Sequence, residues 1–288
     1  MKLLVLGGTG MLGHRLFDYL IDRHETKATL RKDLGTYSNY THYDSDNAFP
    51  KVDVRDFDRV ASVIGPYGPD AIVNCTGITN KGAAARDPIL NIEVNALFPH
   101  RLARLCAEQQ RKLVHLSTDC VFNGQKGNYS EQEQGDAGDL YGRTKLLGEV
   151  GGRHCVTIRT SMIGLELKDR HGLIEWFLAQ RGAVNGYQKA VFSGFTTLEL
   201  SRVIEKILMS ELELPGLLHV AAEPITKFDL LTMLKEELKL KIEIVPDIDF
   251  ECNRSLNANS FKQLFHYAPP AWEDMIRELG EQIKRERL

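Results

Sequence analysis

The segment Gly7-Gly-Thr-Gly-Met-Leu-Gly13 constrains this 288-residue chain more than any other, because of what stands on either side of it. Before it runs the apolar Lys2-Leu-Leu-Val-Leu6, a strand pattern, and after it a helical pattern over residues 11–23. A strand that passes through a glycine-rich turn straight into a helix is the opening of a dinucleotide-binding βαβ unit. Gly7 permits the tight turn, Gly10 lets backbone approach a pyrophosphate, and Gly13 lets the helix pack closely on the strand. The N–H groups of the first helical turn, around Met11 and Leu12, then serve as phosphate donors.

The rest of the first half repeats that rhythm. Strand patterns are expected at 27–30, 71–75, 112–117 and 156–159, with helical spacing at 57–64, 89–109 and 141–150. This alternation predicts an α/β fold with a Rossmann-like, doubly wound parallel sheet. Beyond Thr160 the pattern loosens into helices at 172–181, 198–210 and 227–238 and a distinctive segment at 253–265. The expected division is a nucleotide-binding domain over 1–160, with 184–212 returning to it, and a smaller C-terminal substrate-binding lobe from 161–183 and 213–288.

A formal net charge of -3 offers no electrostatic case for nucleic acid or a membrane surface as partner. Five cysteines without CxxC spacing support neither a disulfide framework nor a metal site and read as thiols of a reducing compartment. The amino terminus carries only a short apolar run, so a cytoplasmic location is expected.

Where an NAD-selective site has an acidic residue after the second strand, this chain has Arg31 and Lys32. Cations there favour the 2′-phosphate of NADPH, and the planar guanidinium of Arg31 suits both phosphate and adenine. Asp53 is positioned in sequence to meet the adenine amino group, and Cys75-Thr76-Gly77 closes a strand beneath the cofactor.

After the 112–117 strand come Ser117-Thr118-Asp119, and Tyr141-Gly-Arg-Thr-Lys145 opens a later helix. Four-residue spacing puts Tyr141 and Lys145 on one helix face, where an ammonium can lower the phenol's pKa. Tyr141 then acts as an acid toward a ketone oxygen that Thr118 also hydrogen-bonds.

With these residues in place the chain resembles the extended short-chain dehydrogenase/reductase superfamily, and within it the dTDP-4-dehydrorhamnose reductase-like group. The resemblance covers nearly the whole chain and is carried by Gly7 to Gly13, Leu116-Ser-Thr-Asp-Cys-Val-Phe122, Tyr141 to Lys145 and Arg254-Ser-Leu-Asn257. It implies NADPH-dependent reduction of the C4 ketone of a UDP- or dTDP-linked 4-keto-6-deoxy hexose, 2-acetamido sugars included. Tyr141 is then the proton donor, Thr118 orients the carbonyl, and Lys145 positions the nicotinamide ribose.

Reductases of this kind carry an aromatic residue where this chain has Cys120. GDP-fucose synthases, which epimerise and reduce, carry a cysteine there and pair it with a histidine, and His171 lies in the corresponding region here. Cys120 and His171 are therefore expected either to form an epimerase pair acting before reduction, or to pack as a small apolar residue and a helix cap. Asp119, Thr197 (or its neighbour Thr196) and Arg254 are candidate substrate contacts, Arg254 through the diphosphate. A non-catalytic NADP-binding regulatory subunit or redox sensor of the same fold is the rival reading. A homodimer through the 89–109 and 141–150 helices is compatible with the pattern.

Overall fold

The computed structural model describes residues 1–38, 42–168 and 170–287. The first strand, β1 (Lys2–Leu6), feeds through the glycine turn into α1 (Met11–Ile21). There follow β2 (Glu25–Thr29), β3 (Ala48–Phe49), α2 (Phe57–Tyr67) and β4 (Ala71–Asn74). A broken helix then leads to β5 (Lys112–Leu116), α5 (Leu140–Leu147) and β6 (Cys155–Arg159). That helix consists of α3 (Pro88–Asn91), a π-helical turn (Ile92–Leu97) and α4 (Phe98–Glu108). The expected single helix at 89–109 is thus interrupted where Asn91 and Asn95 are buried among apolar residues. Wide turns of this kind re-aim side chains at functional sites.

The main sheet is seven-stranded, in the order β10-β6-β5-β4-β1-β2-β3 once β10 (Leu217–His219) is included. Every pairing in it is parallel. β1 explains why such strands read as unbroken apolar runs. Leu3 and Val5 enter a core with Leu16, Phe17 and Leu200, while Leu4 and Leu6 enter a second core with Val60, Ile64 and Leu102 on the other face. The chain reverses winding direction between β1 and β4, and in doubly wound sheets ligands bind at that switch point, beyond the carboxyl ends of the strands.

The second half adds β7 (Met162–Ile163), α6 (Leu173–Leu178), β8 (Gly182–Phe192), β9 (Phe195–Thr196) and α7 (Thr197–Leu208). After β10 come β11 (Ile225–Thr226), α8 (Lys227–Leu238), β12 (Ile242–Asn253), α9 (Asn259–Leu264) and α10 (Trp272–Arg287). A three-stranded sheet, β11-β8-β12, forms the second lobe, and β7 pairs with β9.

These placements correct the expected boundaries. β8 does not return to the nucleotide-binding body but pairs with β11 and β12. α7 does return, joined to α1 by a hydrogen bond from Tyr19 Oη to Glu205 (2.7 Å) and to the turn after α1 by His24 Nε2 at 2.9 Å from Glu205. β10, expected in the lobe, instead pairs with β6 in the main sheet. α10 has no counterpart among the expected elements, although Trp272, Met275, Ile276, Leu279 and Ile283 sit at helical spacing and are buried.

Candidate active site

The glycine turn is built as its spacing predicts. Gly7 has φ +82°, a left-handed conformation that suits glycine, and its carbonyl accepts from Gly10 N at 3.0 Å. A Cβ on Gly13 would lie 2.1 Å from the Gly7 carbonyl oxygen, so only glycine lets α1 start this close to β1. The turn is tied to β2 by Gly7 N and Gly8 N, which donate to Thr29 Oγ1 and O. No side chain caps α1 and no acidic residue stands in its first turn. The donors around Met11 and Leu12 are therefore left for an incoming anion, which fits the pyrophosphate of a dinucleotide.

Arg31 and Lys32 are exposed directly after β2. Asp53 lies close enough to Arg31 to be affected by its charge, but both its oxygens are taken by Arg55, at 3.0 and 2.7 Å. This pairing, with burial opposing it, holds the Asp53 carboxyl below its ordinary value. Across the switch point, Asn74 Oδ1 accepts from Thr76 N and Oγ1 and so fixes the turn that carries Cys75, Thr76 and Gly77. A Cβ on Gly77 would stand 4.0 Å from Lys145 Nζ, so this turn and Lys145 face each other.

β5 delivers Thr118 to the same edge, and α5 brings Tyr141 over it. Asp139 caps α5, accepting from Gly142 N at 2.7 Å. The Thr118 hydroxyl, which donates to Asp119 Oδ1 at 3.2 Å, stands close enough to the Tyr141 phenol to favour its ionised form. Burial acts in the opposite sense and is stronger, and with Cys120 and Asp119 it raises the phenol above its usual value. One turn on, Lys145 is buried and donates to the Leu116 carbonyl at 2.6 Å, and burial pulls its ammonium down to about 8. The expected net lowering of the Tyr141 phenol is therefore corrected: burial outweighs the groups that favour the ionised form, and the phenol keeps its proton through neutral pH.

Asn95 is a site residue that motif reading missed. From the π-helical turn it brackets Ile78 through N and O and donates to Thr144 Oγ1 on α5. A Cβ on Gly148 would lie 1.8 Å from the Asn95 carbonyl oxygen, so α5 ends directly against this turn. Two buried asparagines four residues apart in an otherwise apolar stripe were the available signal.

Asp119 is buried, which raises its carboxyl. Burial, reinforced by Asp119, pushes the Cys120 thiol up to about 12. Arg254 approaches Cys120 Sγ to 3.7 Å with Nη1 and donates from Nε to the Phe122 carbonyl at 2.8 Å. Thr196, Thr197 and His171 stand in different settings. Thr196 and Thr197 are buried, Thr196 as the cap of α7 and Thr197 against Gly164. His171 is exposed, its backbone N–H donating to Glu166 and its carbonyl accepting from Lys81, while the groups acting most strongly on Cys120 are Asp119, Arg254 and Thr118.

Comparison with known proteins then places the chain. Residues 1–284 match the family described as RmlD substrate binding domain. The chain belongs to the RmlD substrate binding domain family. A protein of Aggregatibacter actinomycetemcomitans named dTDP-4-dehydrorhamnose reductase is 24% identical, over 96% of this chain and 98% of its own. A Haloferax volcanii protein named probable low-salt glycan biosynthesis reductase Agl14 is 29% identical, and the match spans only 52% of this chain and 48% of that one. Among solved structures, dTDP-4-dehydrorhamnose reductase from Bacillus anthracis in complex with NADP superposes with a TM-score of 0.80 at 19% identity, covering 98% of this chain and 99% of that one. The RmlD-type fold, with its Rossmann-like sheet, is common to both. No helix among the described residues is long and apolar enough to cross a membrane.

Proposed function

We propose that this chain is an NADPH-dependent reductase acting on the C4 ketone of a nucleotide-linked 4-keto-6-deoxy hexose. One arrangement carries this. The Thr118 and Tyr141 hydroxyls stand near one another at the carboxyl edge of β5, beside buried Lys145 and the glycine cradle. The names of the relatives favour a dTDP-linked sugar, with UDP-linked and 2-acetamido sugars as the alternatives to assay.

The dinucleotide, when bound in the cradle, supplies a hydride to the carbonyl carbon. Its 2′-phosphate is met by Arg31 and Lys32, and its pyrophosphate by the first turn of α1. Thr118 and Tyr141 both donate to the ketone oxygen, and Tyr141 gives up its proton as the alkoxide develops. The Lys145 ammonium then stabilises the phenolate left on Tyr141.

Epimerisation before reduction needs a base, and a thiol held near 12 is almost wholly protonated at neutral pH. We therefore assign reduction alone, with Cys120 as a neutral packing group beside Arg254. Exposed Ile89, Ile92, Leu97 and Leu147 on α3, the π-helical turn and α5 supply an apolar face for a homodimer, which light scattering in solution tests.

Purified protein incubated with NADPH and a dTDP- or UDP-linked 4-keto-6-deoxy sugar should oxidise NADPH, and Tyr141→Phe should not. The same incubation in D₂O without NADPH should leave the sugar carbons unlabelled; exchange that Cys120→Ser abolishes restores the epimerase step. If NADPH binds but no such sugar is reduced, the regulatory-subunit reading replaces this one.

A further inference from the structure

The second lobe contributes a cation that no motif announced. Thr226 at the end of β11 and Asn253 at the end of β12 both register on Val191 of β8, one from each side. The next residue in each case is basic, Lys227 on the antiparallel β11 side and Arg254 on the parallel β12 side, so two cations flank the carboxyl end of β8 around Val191. That end faces the catalytic edge, because Lys227 and Arg254 both lie within electrostatic reach of Asp119 and Cys120, next in sequence to Thr118.

Arg254 is seated by Phe122 O and Cys120 Sγ, which use Nε and Nη1 and leave Nη2 for a ligand. Gly124 makes room for it, since a Cβ there would come within 3.1 Å of Arg254 Cγ. Lys227 is different. Its Nζ stands 4.5 Å from the Phe192 ring centroid, and among the described residues it makes neither an ion pair nor a hydrogen bond. Burial lowers its affinity for a proton, Asp119 opposes this, and Lys81 adds a like charge. A partly buried ammonium that meets an aromatic face and no hydrogen-bonding side chain among the described residues suits an anionic ligand.

We propose that Lys227 and Arg254 form one anion subsite that receives the diphosphate of the nucleotide sugar, with Lys227 setting how deep the sugar lies. The inference rests on the reductase reading above. A pyranose ring separates the reacting C4 from the phosphate-bearing C1, and the two cations stand beside Asp119 and Cys120, close to the Thr118 and Tyr141 hydroxyls without touching them. Phe192 holds the ammonium in place through its ring face while leaving its N–H donors available.

Calorimetry with dTDP and UDP, in the presence of NADP, tests this directly, with thymidine as the uncharged control. Lys227→Gln should weaken binding of both diphosphates about tenfold to a hundredfold, leave thymidine and NADP binding unchanged, and be largely rescued by Lys227→Arg. With substrate, KM should rise by a similar factor with kcat retained within a few-fold, as expected for loss of uniform binding. Wild-type affinity of Lys227→Gln for both diphosphates overturns the subsite, and so does an equal loss for thymidine, which marks a merely structural effect. If dTDP binding depends on Lys227 but no ketone is reduced, the subsite stands and the proposed reaction falls. If reduction proceeds but Lys227→Gln binds dTDP normally, the reaction stands and the subsite falls.

Discussion

Lys145 Nζ donates to the Leu116 carbonyl at 2.6 Å, which ties the lysine of α5 to the strand that carries Thr118. Burial brings its ammonium down to about 8, so it is charged below that pH and neutral above it. If the charge supports proton transfer from Tyr141, kcat/KM for NADPH-dependent reduction should fall as pH rises through about 8. Lys145→Arg should move that limb beyond the alkaline end of the profile, because a guanidinium does not deprotonate there.

Tyr141 is held above its usual pKa and stays protonated across that same range. Tyr141→Phe should cost about 10² to 10⁴ in kcat, the usual span for a lost general acid, while NADPH titration by fluorescence stays unchanged. Thr118→Val removes a hydrogen bond to the same oxygen and should cost less, about 10- to 100-fold.

Gly13 has no room for a side chain. A methyl group 2.1 Å from the Gly7 oxygen and 3.2 Å from Gly8 Cα must displace backbone, not a flexible side chain. Gly13→Ala should abolish NADPH binding and lower stability by about 1–3 kcal/mol or more, measured by urea unfolding.

Cys120 is a neutral thiol near 12. At pH 8 its thiolate fraction is about a thousandfold below that of an ordinary cysteine, and its alkylation by iodoacetamide, followed by mass spectrometry, should be correspondingly slow. Rapid modification at Cys120 would revive it as a base.

His115 and His219 are buried, and desolvation keeps both below the ordinary imidazole value of 6.5. The unfolded chain therefore binds protons first as pH falls through 6.5, while the folded chain does not. Their contribution to stability is complete above that pH and is lost progressively below it. The urea midpoint should drop between about pH 7 and pH 5, and His219→Gln, which keeps a polar group near Arg159 and the Tyr129 carbonyl, should flatten the drop.

The cofactor half of this protein was legible in its sequence because its signals are local. Gly7, Gly10 and Gly13 act through turn geometry within seven residues, β1 spans the same Lys2–Leu6 that its apolar run marks, and Tyr141 and Lys145 share a face by helical spacing alone. The π-helical break at Ile92–Leu97 was not legible, since apolar spacing continues through it and only the burial of Asn95 against Ile78 and Thr144 makes the wide turn worthwhile. The second lobe was illegible for a different reason. β8 carries Gly, Asn, Gln and Lys and lies half exposed, and its partner β12 begins some fifty residues later, so neither strand has a periodicity that identifies it before the two meet. Sequence by itself determined the glycine turn between β1 and α1 and the shared face of Tyr141 and Lys145. Only the tertiary structure decided that Thr197 is buried and that Lys227 and Arg254 flank one end of β8, because those relations depend on long-range strand register that no local pattern encodes.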